Sequence, residues 1–130
     1  MALSAVMARA KIAAGGGTRR ARAERDEALR RELGYLVTAV RRTDDFSGVW
    51  DPRTFVVLLP LTAVEGARAF AERLRSVVAA APLRHGEELV PVTLSCAYTE
   101  VGPDTAELLP ALEAIVHGVE DAGGDAVRPA

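Results

Sequence analysis

Apolar positions along this chain repeat with two different periods, and the switches between them mark its elements. From about Ala21 to Arg41, Leu29, Leu33, Leu36, Val37 and Val40 recur at helical spacing among arginines and acids, which predicts an amphipathic helix. Ala67, Phe70, Ala71, Leu74, Val77 and Val78 predict a second helix that ends before Pro82, with Thr62 and Glu65 at capping-box spacing ahead of it. A third helix covers about Thr105 to Ala122, with Pro110 near its start and Gly123-Gly124 closing it. Between the helices the period shortens. Ala2 to Ala8 reads as a strand broken by Gly15-Gly16-Gly17, and Phe46–Trp50 and Thr54–Leu59 read as a hairpin across Asp51-Pro52-Arg53. Val90, Val92, Leu94, Cys96 and Tyr98 alternate with Pro91, Thr93, Ser95 and Ala97 in a further strand, and Ala126-Val127 is a last short segment. The order βαββαβαβ predicts an α+β fold: a ferredoxin-like, palm-type sandwich whose mainly antiparallel sheet carries helices on a face.

Length and composition narrow the possibilities. The 130 residues, 49% hydrophobic and 26% charged, fit one domain with one core and leave little room for disorder outside the ends. A net charge of -2 provides no basic field, so neither nucleic acid nor an anionic membrane is an expected partner. Arg19, Arg20, Arg22 and Arg25 are diluted by Glu24, Asp26 and Glu27 and read as a solvated helix face. The single cysteine, Cys96, excludes a disulfide framework and a thiolate metal site, and reads as a packed small apolar side chain in a reducing compartment. Ala2 to Met7 is too short for a secretory signal and no run is long enough to span a bilayer, so the cytoplasm is the expected location.

Isolated reactive residues add nothing. His85 in a polar loop and His117 on a helix have no second ligand at metal spacing, so no metal and no cofactor is expected. Ser47, Ser76 and Ser95 belong to no nucleophile motif, and Trp50 suits a core or an interface.

Three segments taken together carry more. Phe55-Val56-Val57-Leu58-Leu59-Pro60, Ala71-Glu72-Arg73-Leu74-Arg75 and Pro91-Val92-Thr93-Leu94-Ser95 resemble, in order and spacing, the GGDEF domain of bacterial diguanylate cyclases. The resemblance covers nearly the whole chain, lacks the family's first helix, and implies the same nucleotide-cyclase palm-type sandwich. The family joins two GTP molecules into cyclic di-GMP, which needs carboxylates for divalent metal and a loop that lets backbone approach the nucleotide. In this chain Arg9 stands where the resemblance puts the metal-binding aspartate, and Lys11 replaces a second aspartate. Gly17 replaces the guanine-reading asparagine, while Asp26 matches another guanine-contacting position. The signature itself reads Asp51-Pro52-Arg53-Thr54-Phe55, in which only the phenylalanine survives, and Glu120 takes the place of a phosphate-facing lysine. The resemblance therefore implies a domain that has lost the reaction, with no catalytic residue.

The family's regulatory RxxD site is still present. Arg41-Arg42-Thr43-Asp44 supplies it in the register that aligns the preceding helix without gaps, and Arg73 supplies the further arginine. Arg42-Thr43-Asp44-Asp45 is the same motif one residue later and keeps the family's spacing to Asp51. Arginine forks and a carboxylate suit a guanine edge or a phosphate, although arginines that end a helix also favour its dipole, and Asp44 also suits a turn cap. Arg41, Asp44 and Arg73, with Arg42 and Asp45 as the other register, are thus the candidate cyclic di-GMP contacts of an inactive signalling domain that relays the nucleotide to a partner. The alternative is a nucleotide-independent interaction or dimerisation module, with the Trp50 hairpin and the final helix as its contacts. A GTP-binding regulator without turnover is disfavoured by Gly17, Asp51 and Pro52.

Overall fold

The computed structural model describes residues 2–130, in the order β1 (Leu3–Ile12), α1 (Arg19–Val40), β2 (Phe46–Asp51), β3 (Thr54–Pro60), α2 (Val64–Ala80), β4 (Leu83–His85), β5 (Glu88–Val90), β6 (Val92–Glu100), α3 (Leu108–Asp121) and β7 (Ala126–Pro129). Five strands form one sheet in the order β2-β3-β1-β6-β7; every pairing is antiparallel except β6 with β7. The fold is α+β, with a mixed, mostly antiparallel sheet.

The central strand β1 explains how the layers divide. Its alternate side chains point to opposite faces, so Val6, Ala8 and Ala10 join Leu33 and Val37 of α1 and Phe70 and Leu74 of α2 in the main core. Ala5 and Met7 point the other way and pack with Leu112 and Val116 of α3. Helices therefore cover both faces, not one. On β6, too, the alternation does not divide core from solvent: Ser95 and Ala97 are buried as fully as Leu94 and Cys96, because α3 roofs their side.

Other differences have local causes. β1 runs four residues past Ala8 because Arg9 finds partners on the α3 face, so a charge there does not end the strand. The expected capping box is absent: the N-cap of α2 is Ala63, and the Thr62 hydroxyl instead accepts from Arg42 and donates to the Pro60 carbonyl. Val77 lies off the stripe of Ala67, Phe70, Ala71, Leu74 and Val78 and is exposed. The polar stretch around His85 is a small separate hairpin, β4 against β5, turning at Gly86 with φ +62°. Among the described residues no helix is long and apolar enough to cross a membrane.

Cys96 lies fully buried on β6, and burial pushes its thiol up to about 12. It is expected to resist an aromatic disulfide reagent at pH 8 in the folded protein and to react in urea; prompt reaction without denaturant would contradict this packing.

Candidate functional site

The positions that the resemblance assigns to catalysis converge at one end of the sheet. Arg9 lies on the α3 face of β1 and pairs in register with Thr54 at the start of β3. This brings it under the hairpin tip and beside the last turn of α3. Arg9 Nε donates to Glu120 Oε2 at 2.6 Å, and Nη1 reaches Asp51 Oδ2 at 3.5 Å and Thr54 Oγ1 at 3.4 Å. Arg53 approaches from the tip, with Nη2 2.7 Å from Glu120 Oε1 and Nε donating to the Ala10 carbonyl at 2.9 Å. Asp51 Oδ1 accepts from the Arg53 backbone N–H at 2.8 Å. Two guanidiniums and two carboxylates thus satisfy one another.

The electrostatics follow from that closure. Burial alone would raise the Glu120 carboxyl, but hydrogen bonds from Arg53 and Arg9 and their charges outweigh it and hold the group below its usual range. Asp51 behaves alike: burial pushes it up, and the Arg53 N–H, the Thr54 side chain and the charges of Arg9 and Arg53 bring it below the ordinary value. A divalent cation does not suit this set, since its position faces two arginines whose carboxylates are already engaged. Among the described residues no three His, Cys, Asp or Glu side chains stand close enough to hold a metal ion.

Beside the quartet opens a cleft of about 620 Å³ lined by Lys11, Asp26, Arg30, Pro52, Arg53 and Glu120, a mixed-charge surface with no single anion cradle. The loop above it holds Gly17 at φ +93°, and the Gly17 carbonyl accepts from Arg22. Buried Arg25 reaches into the same loop, donating to the Ala13 carbonyl at 2.8 Å and pairing with Asp26 and with Glu88 of β5, each at 3.1 Å. Arg25 was read from the sequence as part of a solvated face; it is a brace between α1, the loop and the small hairpin.

The regulatory candidates lie on the α1–α2 side of the sheet. A shallow cleft of about 150 Å³ is lined by Arg42, Leu59, Thr62, Gly66, Phe70 and Arg73. Arg42 is fixed there: Nη2 donates to Thr62 Oγ1 at 2.7 Å, and its backbone N–H donates to Asp45 Oδ2 at 2.8 Å. The Asp45 side chain is fully buried and also faces Arg42 Nη2 at 3.4 Å. Arg73 lies over the Phe70 ring at 5.6 Å and is otherwise exposed, with a long contact to the Val40 carbonyl. Arg41 turns away and donates to the backbone carbonyls of Arg42 and Asp45, while Asp44 is exposed in the turn. The cleft thus brings Arg42 and Arg73 together; Arg41 and Asp44 do not line it. Leu61, between Pro60 and Thr62, which both accept from Arg42 Nη2, is exposed at φ +52°, a conformation costing a leucine about 1 kcal/mol. No sequence signal marks that strain.

No family model matches the chain. It is 36% identical over 74 residues, 57% of its length, to the diguanylate cyclase DgcP of Pseudomonas aeruginosa, of whose length it spans only 11%. It superposes on the GGDEF domain of YfiN (TpbB) from Pseudomonas aeruginosa with a TM-score of 0.83, covering 99% of this chain and 82% of that one at 17% identity. This chain folds as a GGDEF-like domain. The GGDEF domain of DgcB from Caulobacter crescentus, solved in complex with c-di-GMP, matches with a TM-score of 0.69 at 14% identity, covering 98% of this chain and 78% of that one. Within the GGDEF-like domain the hairpin carrying Asp51 to Arg53 stands where the resemblance puts the signature loop, and the Arg42–Arg73 cleft lies on the opposite face of the sheet from α3. What sequence reasoning missed is that the substituted positions pair with one another. The available signal was the joint sign reversal at Arg9 and Glu120, where the resemblance expects an acid and a lysine.

Proposed function

We propose that this GGDEF-like domain makes no cyclic di-GMP and acts as a receptor for it, passing the bound state to a protein partner. The observation that carries the reading is the pair of guanidiniums, Arg42 and Arg73, facing one small cleft. Asp45, Thr62 and Pro60 preorganise Arg42, so little rotamer freedom remains to be lost on binding. Two arginine forks are the chemistry a guanine edge or a phosphate calls for. A cleft of about 150 Å³ accepts one purine ring, with the rest of a cyclic dinucleotide lying over the surface. This arrangement favours the register Arg42, Asp45 and Arg73 over Arg41, Asp44 and Arg73. The c-di-GMP bound by the DgcB domain supports the ligand class. Loss of the reaction is supported by the self-paired quartet, which leaves neither a metal carboxylate nor a bare glycine loop.

Calorimetric titration with cyclic di-GMP tests this. Micromolar binding is expected, weakened more than about 100-fold by Arg73→Ala and more than about tenfold by Arg42→Lys, which keeps the charge and loses the fork. Arg41→Ala should bind as the parent does. Absence of heat sinks the receptor, and a cyclic product from GTP and magnesium sinks the claim of inactivity.

A further inference from the structure

We infer that the outer edge of β2 is a self-association surface, on which a second copy of this chain lays its own β2 antiparallel and joins the two sheets into one. β2 ends the sheet, and every residue from Phe46 to Trp50 is exposed. The backbone groups on its outer side therefore form an open row. Natural edges are usually blunted by lysine, proline or an inward charge, and this one has none between Phe46 and Trp50.

Its side chains are those of an interface. Phe46 is 66% exposed, Val49 60%, Trp50 40%, and Tyr35 on the flanking helix 70%. Each face of the strand borders an apolar groove. One, of about 360 Å³, is lined by Tyr35, Val37, Val49 and Phe55; the other, of about 270 Å³, by Phe46, Trp50, Val56, Leu58 and Leu109. The indole N–H is already satisfied, donating to Glu113 Oε2 at 2.6 Å, so the ring can be covered without losing a hydrogen bond.

Three observations select a second copy as the occupant. The first is Gly48, at the middle of the strand. A β-carbon there would meet nothing within 4 Å and its φ is not positive, so nothing within the domain requires a glycine. A glycine inside a strand suits a place where another backbone approaches closely. The second is self-complementarity. A twofold axis beside Gly48 sets Phe46 of each copy next to Trp50 of the other on one face, and Ser47 next to Val49 on the other face, with no like charges opposed along that stretch. The third is area. Phe46, Val49, Trp50, Leu58 and Tyr35 leave on the order of 500 Å² uncovered per copy, taking about 200 Å² for a whole aromatic side chain. Fully covered in two copies, these side chains bury up to about 1,000 Å², the size a specific interface has to reach. The contact is independent of nucleotide binding.

Sedimentation velocity of the parent, Val49→Lys and Phe46→Asp from about 1 μM to about 1 mM decides the matter. The parent is expected to pass from monomer to dimer, and each variant to weaken that step more than about tenfold. Both substitutions fall at exposed positions, so circular dichroism and melting should be unchanged. Emission from Trp50, the sole tryptophan, should shift to the blue with concentration in the parent and stay fixed in Val49→Lys. A parent that stays monomeric to about 1 mM, or a dimer that neither variant weakens, overturns the inference.

Discussion

Glu120→Lys, which restores the residue type that the resemblance expects, should lower stability by about 3 kcal/mol and the melting temperature by about 10 °C. The ordinary expectation for regaining a family residue is the opposite. Among the described residues Glu120 is the one carboxylate that the guanidiniums of both Arg9 and Arg53 contact, and a lysine in its place would put three cations around one half-buried point. Most of the effect is assigned to Arg9, whose side chain is 18% exposed; the Arg53 pair, at 42%, is screened by water and contributes less. Arg9→Glu combined with Glu120→Lys re-forms an opposite-charge pair, and should recover at least about 1 kcal/mol of the loss in a double-mutant cycle. A melting temperature within about 2 °C of the parent for the single variant would show the quartet to be decorative.

The same quartet sets an acid limit. Asp51 and Glu120 both titrate below their ordinary values in the folded protein. Their contribution is therefore fully present above the unfolded carboxylate range, and is lost as pH falls through the depressed folded values. Glu120→Gln should flatten that part of the melting-temperature profile.

Phe55→Ala should cost about 3–5 kcal/mol, while Pro52→Ala, three residues away, should stay within about 0.5 kcal/mol. Phe55 is the one residue that matches the signature the resemblance expects, and its position explains why. It lies buried in the main core with Leu33 and Val37, and Gly34 of α1 passes close enough that an added β-carbon would sit 3.9 Å from the ring. Asp51, Pro52 and Arg53 stay at least partly exposed at the hairpin, whereas Phe55 faces the fold. Urea unfolding of both variants checks the contrast, and a Phe55→Ala loss below about 1 kcal/mol would contradict it.

The fold was legible wherever one periodicity ran undisturbed. Leu29, Leu33 and Val37, and Phe70, Ala71, Leu74 and Val78, mark buried helix faces that the structure reproduces. Reading failed where a distant residue decided the outcome. Thr62 has the spacing of a cap, but its hydroxyl is held by Arg42, twenty positions earlier. Ser95 looks solvent-facing until α3 is placed above it. The β4–β5 hairpin, with three residues per strand, is too short for alternation to show. At the candidate site the substitutions were visible one at a time; their mutual pairing required the sheet register that sets Arg9 beside Thr54 and the α3 packing that delivers Glu120.

The loop before α1 carries a historical consequence. A β-carbon on Gly15 would lie 2.2 Å from Arg25 Nη1, and that guanidinium is held by Ala13, Asp26 and Glu88, so it has nowhere to retreat without breaking those bonds. Positions 15 and 25 are therefore expected to covary among descendants of this chain. Glycine and arginine would be inherited as a pair, and a lineage that regains a side chain in the loop would first have to give up the arginine.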